Sequence, residues 1–99
     1  MAKKIQYSIV RCKYAGVFMA QVAFRSKDGM RATLKDSRRL WKWVGASSLS
    51  QLAMEGVKKP DECKFPIALP RHDVTEIIEV IPVTDRAKAS VDGVKVWAQ

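Results

Sequence analysis

One histidine, His72, and two cysteines, Cys12 and Cys63, make up the whole imidazole and thiol inventory of the 99 residues. A zinc site takes about four such ligands, so a dedicated one cannot be assembled. The cysteines stand 51 positions apart with no CxxC spacing, and they are expected as reduced, packed thiols. Any Ser-His-Asp or Cys-His arrangement would have to use His72. That residue sits in Pro70-Arg71-His72-Asp73, read as an exposed loop bounded by proline. Asp73 is a poor orienter there, because neighbours on an extended segment point apart. Glu76 and Glu79 are the one carboxylate pair, but a spacing of three on a strand puts them on opposite faces. No Walker or GxGxxG phosphate loop occurs. Together these gaps favour a binding protein over an enzyme, with no cofactor and no metal.

No apolar run approaches the roughly 18 residues of a membrane span. Met1-Ala2-Lys3-Lys4 leads straight into a strand-like run, so a cytoplasmic location is expected rather than a secretory route. Acidic residues are scarce in the first half. Residues 1–50 carry 11 Lys/Arg against only Asp28 and Asp36, whereas residues 51–99 carry 7 against 8 carboxylates. Most of the formal charge of +8 therefore lies in one half, the pattern of a surface that attracts anions.

With 47% hydrophobic residues, the chain is read as one domain over residues 1–99. Residues 5–14 (IQYSIVRCKY) alternate like a strand, and 17–24 (VFMAQVAF) read as a second strand covered on both faces. Lys27-Asp28-Gly29 marks a hairpin, and residues 30–34 return as a third strand that Asp36-Ser37 should break. Ser48 and Gln51 form a capping box for a short helix that Gly56 ends. Residues 65–69 and 74–83 read as strands, with the second (VTEIIEVIPV) the stronger. Thr84 caps a helix over 85–91, and 94–97 read as a last strand. The fold class is α+β: a mostly antiparallel sheet of five or six strands with two short helices.

The segment with a chemical signal is RRLWKWVGASS, residues 38–48. If it is extended, period-two alternation gathers Arg39, Trp41 and Trp43 on one face and Arg38, Leu40, Lys42 and Val44 on the other. Indoles stack on flat rings and guanidinium groups fork onto phosphate. Gly45, Ala46, Ser47 and Ser48 then lead into a helix start, where free amides favour anions. The candidate site is therefore Arg38, Arg39, Trp41, Trp43, Gly45, Ala46, Ser47 and Ser48, with a small nucleotide-like anion as ligand. In the competing interpretation the tryptophans are core or interface anchors and the serines are only caps.

The run RRLWKWVGASSLSQLAMEGVKKPDECKFP resembles the central signature of a family of small tailed-phage proteins of unknown function. The stretches IVRCKYAGVF and TEIIEVIPVTDRAKAS, with the late VW, resemble that family too. The resemblance implies a phage protein acting in the host cytoplasm and carries no catalytic residue over. A further, architectural likeness is to phage anti-defence sponges, such as those that oppose Thoeris, which are homo-oligomers with nucleotide pockets between subunits. The expectation is a non-enzymatic sponge for a cyclic or ADP-ribose-type signal. The alternatives are a single-stranded nucleic-acid-binding accessory protein, or an inhibitor that docks on a host enzyme through Trp41, Trp43 and Trp97.

Overall fold

The computed structural model describes residues 5–98, so Met1-Ala2-Lys3-Lys4 lies outside the described residues. Strands β1 (Ser8–Cys12), β2 (Gly16–Arg25) and β3 (Ala32–Arg39) form an antiparallel meander. Helix α1 (Leu49–Glu55) follows, then a 3-10 turn at Pro60–Glu62, strands β4 (Leu69–Val74) and β5 (Ile77–Pro82), and helix α2 (Asp85–Asp92). All strand pairings are antiparallel, in the order β4-β3-β2-β1-β5, which gives the α+β sheet its upper and lower edges. No helix among the described residues is long and apolar enough to cross a membrane.

The two edge strands are joined by only Thr75 and Glu76. Glu76 takes a positive φ of 57°, its carbonyl accepts from Lys13 N–H at 2.9 Å, and Ile77 N–H donates to Met30 O at 3.1 Å. The opposite edges therefore meet at this end, and the sheet curls like a small, partly open barrel. Its concave side is a closed apolar cluster drawn from every strand: Val10, Cys12, Phe18, Ala20, Ala32, Leu34, Val74 and Ile77. On the convex side Ile9 and Met19 pack with Leu52 and Ala53 of α1 and Ala87 and Val91 of α2. Both cysteines are buried and free, one in each cluster.

Several boundaries shift from the sequence reading. The strand read as 74–83 is cut in two by the kink at Thr75-Glu76. Pro70-Arg71-His72-Asp73 is a strand, β4, which tolerates Pro70 because β4 is an edge. Of the strands read at 65–69 and 94–97, residues 65–68 and 94–97 contribute only an isolated parallel bridge, Phe65 to Val96, while Leu69 opens β4. The reading of β2 as covered on both faces holds for Phe18, Met19 and Ala20 but not for Ala23 and Phe24.

Asp36 does not break β3. It bulges it, with φ 50°: Met19 faces Arg38 while Gln21 faces Lys35, so β3 gains one residue over β2. The bulge turns Ser37 and Arg39 to the concave side and Arg38 to the helical side.

The helices are fastened end to end. Thr84 Oγ1 accepts from Ala87 N–H at 3.1 Å and donates to Met54 O at 2.7 Å, so the cap of α2 also closes α1. Gly56 ends α1 with φ 81° and ψ −151°, and a Cβ there would stand 2.3 Å from Ser90 Cβ. Gly56→Ala is expected to cost about 2–4 kcal/mol, combining backbone strain with an overlap inside the helix contact. Gly16 also has positive φ, 109°, but open space around it, so Gly16→Ala should cost only about 1–2 kcal/mol. Urea unfolding of both variants checks the difference, and equal losses would contradict it.

Candidate functional site

The eight residues singled out by sequence do not form one surface. Arg38 is 9% exposed, and its guanidinium is held by backbone oxygens. Nε donates to Pro66 O at 3.1 Å, Nη1 to Val91 O at 2.8 Å, and Nη2 to Phe65 O and Val94 O at 3.2 and 2.8 Å. Burial pulls its pKa down, while the charges of Asp92 and Asp36 oppose that pull. It is a structural cross-link, with four of its five N–H donors committed to backbone carbonyls.

Trp41 and Trp43 do not join Arg39 in one row, because β3 ends at Arg39. Trp41 is 63% exposed, whereas Trp43 and Ala46 lie partly buried against the helical core. Gly45, at φ 92°, is needed by the backbone itself, since a Cβ would stand 2.5 Å from Lys58 N. Ser47 N–H and Oγ–H both donate to Gln51 Oε1, at 2.8 and 2.7 Å. Ser48 Oγ accepts from Gln51 N–H at 3.2 Å, so the capping box forms with Gln51 reaching Ser47 instead of Ser48. The amides of Ser47 and Gln51, two of those that would have received an anion, are occupied by this local chemistry.

Of the eight, Arg39 is the one whose guanidinium, not tied up by backbone carbonyls, lines a cavity. The bulge and the Phe18–Arg39 register place its guanidinium over the Phe18 ring, 4.9 Å from the centroid. The same ring takes the edge of His72 at 4.7 Å and 86°. His72 Nδ1 and Ser37 Oγ share a hydrogen bond of 3.2 Å. With Pro66, Ile67 and Leu69 these side chains enclose about 200 Å³ at the mouth of the concave side. The wall is apolar and aromatic, and one cation and one imidazole converge on it.

The imidazole is held below its ordinary pKa, first by burial and then by the neighbouring Arg39 charge, against a weaker opposing pull from Asp73. Asp73 itself faces away and accepts from Thr33 Oγ1 at 2.8 Å. Ser37 is only 1% exposed, so its hydroxyl serves the imidazole and not an incoming group.

His72 and Phe18 were missed by the sequence reading. The usable signal was the alternation on β3: with Asp36 as a bulge, Leu34 and Ser37 share a face and bring β4 beside them.

A larger cavity of about 280 Å³ lies across the strand, lined by Met19, Asp36, Arg38, Ile67, Lys88 and Asp92 among others. Its charges are already matched. Tyr7 Oη–H donates to Asp36 at 2.5 Å, and Lys88 reaches both oxygens of Asp92 at 2.5 and 2.6 Å. The concave pocket, with its uncommitted Arg39, is the better candidate despite its smaller volume. No group of three or more His, Cys, Asp or Glu that could hold a metal occurs among the described residues.

Fold and pocket define a small curled-sheet α+β domain with a side-chain-lined cleft. The chain belongs to the family described as a domain of unknown function (DUF6948), which it matches over residues 5–91. No curated protein and no solved structure matches it with significance.

The two adjacent arginines should separate cleanly. Arg38→Lys, with three donors for four carbonyls and no planar fork to reach both segments, leaves at least one carbonyl without a donor and is expected to cost about 2–4 kcal/mol. Arg39→Ala should cost less than about 1 kcal/mol. Thermal and urea unfolding compare them, and similar losses would refute the division of roles. His72 gives a pH test. Because folding depresses its pKa below the ordinary 6.5, protonation favours the unfolded chain. The stability due to the neutral ring is whole above pH 6.5 and is lost as pH falls below that value. Wild type should lose Tm faster than His72→Gln between about pH 7 and about pH 5. Parallel curves would sink this account.

Proposed function

We propose that the protein binds a small flat anion of nucleotide type and holds it without cleaving it. The observation that carries the reading is the concave pocket, in which the exposed Arg39 guanidinium and the His72 edge meet on one aromatic ring. A ring-shaped ligand fits an apolar, aromatic wall, and a phosphate beside it fits the guanidinium fork. Holding without cleavage is supported by the state of the only candidate dyad. His72 is kept neutral, its Ser37 partner is out of reach, and Asp73 is turned to the other face.

The volume bears on assembly. About 200 Å³ is below the roughly 300–1,000 Å³ of pockets that enclose drug-sized ligands. One chain therefore accommodates a base or one charged end, and a second copy would supply the remaining wall, as in a homo-oligomer. The exposed Ile67 and Leu69 at the rim fit such a contact. The resemblance of residues 38–66 to small tailed-phage proteins supports a role in the host cytoplasm, where sequestering a cyclic or ADP-ribose-type immune signal needs only tight binding.

The test combines thermal shift over a nucleotide panel with chromatography of the ligand recovered after denaturation. A ligand at 100 times its Kd adds about 2.7 kcal/mol, enough to raise Tm by on the order of 10 °C. The recovered nucleotide should be intact, and Arg39→Ala should abolish the shift. Cleavage products would replace this reading with an enzyme, and no shift across the panel would end it.

A further inference from the structure

The convex face of the sheet is only half covered. Helices α1 and α2 lie over Ile9 and Met19, but β2, β3 and β4 run on beyond them. Register defines what that bare half displays. Gln21 faces Lys35 and Lys35 faces Arg71, forming one row across three strands. Phe24 faces Thr33 and Thr33 faces Asp73, forming the next. Phe24 is 62% exposed, and a shallow cavity of about 300 Å³ lies among Phe24, Arg31, Thr33, Arg71, Asp73 and Thr75.

Two features of this face have no structural use. Lys35 and Arg71 stand directly opposite on paired strands, a like-charge placement that destabilises a sheet. An aromatic ring sits on an open sheet surface, ringed by charge, where it buries little and packs against no core. Asp73 offsets the Arg71 charge, but Lys35 and the exposed ring are not explained by folding, and places where local rules are broken are where function is expected. Arg31 and Lys35 form no ion pair among the described residues. Asp73 is the sole carboxylate in the cavity wall, and it is tied to Thr33 and to Arg71 at 3.4 Å, fixing the guanidinium. The donors are thus three cations and the Thr75 hydroxyl around one flat ring.

We infer that this face binds single-stranded nucleic acid, with a base stacked on Phe24 and phosphates held by Arg31, Lys35 and Arg71. A ring accepts the π-face of any base, and a sheet with an exposed aromatic and flanking cations tracks a backbone without reading its sequence. An acidic protein surface would use the cations but leave the ring idle. The site is separate from the concave pocket, which opens on the other side of the sheet, and it stands or falls independently of it.

Fluorescence anisotropy with a labelled oligothymidylate of roughly 12 nucleotides is the test, titrated over salt and against polyglutamate as competitor. Three phosphate contacts predict a slope of log K on log salt near −2, and Lys35→Ala should reduce its magnitude by about 0.7. Phe24→Ala should weaken binding about tenfold with Tm unchanged, since the ring is exposed. Phe24→Trp should retain binding and show indole quenching as the oligonucleotide is added. Absence of binding at low salt would overturn the inference. So would binding indifferent to Phe24→Ala, or equal competition by polyglutamate, which would make the face a docking site for acidic protein.

Discussion

The rest of the structure depends on one buried cation, Arg38. Its four carbonyl partners come from two separate segments, residues 65–66 and 91–94, and its own backbone is the end of β3. A guanidinium is suited to this because it presents five donors in a rigid plane and stays charged when desolvated. Val91 and Val94 close the C-terminal end of α2, where a positive charge also meets the negative end of the helix dipole. The residues it joins are 27 to 56 positions away along the chain, so it closes long loops that the short helices could not close by themselves. The Phe65 ring lies under the same guanidinium at 5.5 Å, which keeps the cation away from water.

The Asp36 bulge makes this cross-link possible and creates the pocket in the same step. Without the extra residue, Arg38 would continue the alternation set by Leu34 and face the concave side. With it, Arg38 goes to the helices and Arg39 goes to the cavity mouth, so neighbouring arginines acquire opposite roles. Tyr7 holds the Asp36 carboxylate, Gln21 Nε2–H in turn donates to Tyr7 Oη at 3.0 Å, and Lys88 lies 4.2 Å from the Tyr7 ring centroid. The strained φ of a non-glycine residue is therefore held at once from the residue before β1, from β2 and from α2. Burial and the Asp36 bond together raise the phenol pKa of Tyr7, which keeps it a donor.

Elements announced by local chemistry were legible in the sequence. Ser48 and Thr84 cap helices, Gly56 ends one, and Gly29 turns the hairpin at φ 77° because these signals act within a few residues. What was not legible depends on register between distant segments. A bulge looks like a strand break when only the polar pair Asp36-Ser37 is seen. The kink at Glu76 cannot be told from a continuous strand when both sides are rich in isoleucine and valine. His72 looked like an inert loop residue because Pro70 suggested a loop. Its place beside Ser37 comes from pairing with β3, 35 residues earlier. The basic-aromatic run at 38–48 was a real compositional signal, but the fold distributes its members among a core cross-link, an exposed indole, a packed indole and a helix cap.

The way the sheet ends restricts how this domain can meet a partner. An open sheet edge offers unpaired amides to any extended chain, but both edges here are blunted. On β4, Pro70 removes a donor. On β5, Arg11 faces Glu79 and Cys12 faces Ile77, which leaves Ile78 as an extra, bulged residue, and Pro82 removes another donor. Extension of the sheet by a second chain is thus disfavoured at either side. Recognition has to use side chains, and the side chains that fold least for stability are the concave pocket rim and the bare half of the convex face. Their chemistries differ: one is an enclosed aromatic wall with a single cation, the other an open ring among three. A domain of this size can carry both because the curled sheet turns them away from each other, while the helices protect only the surface between.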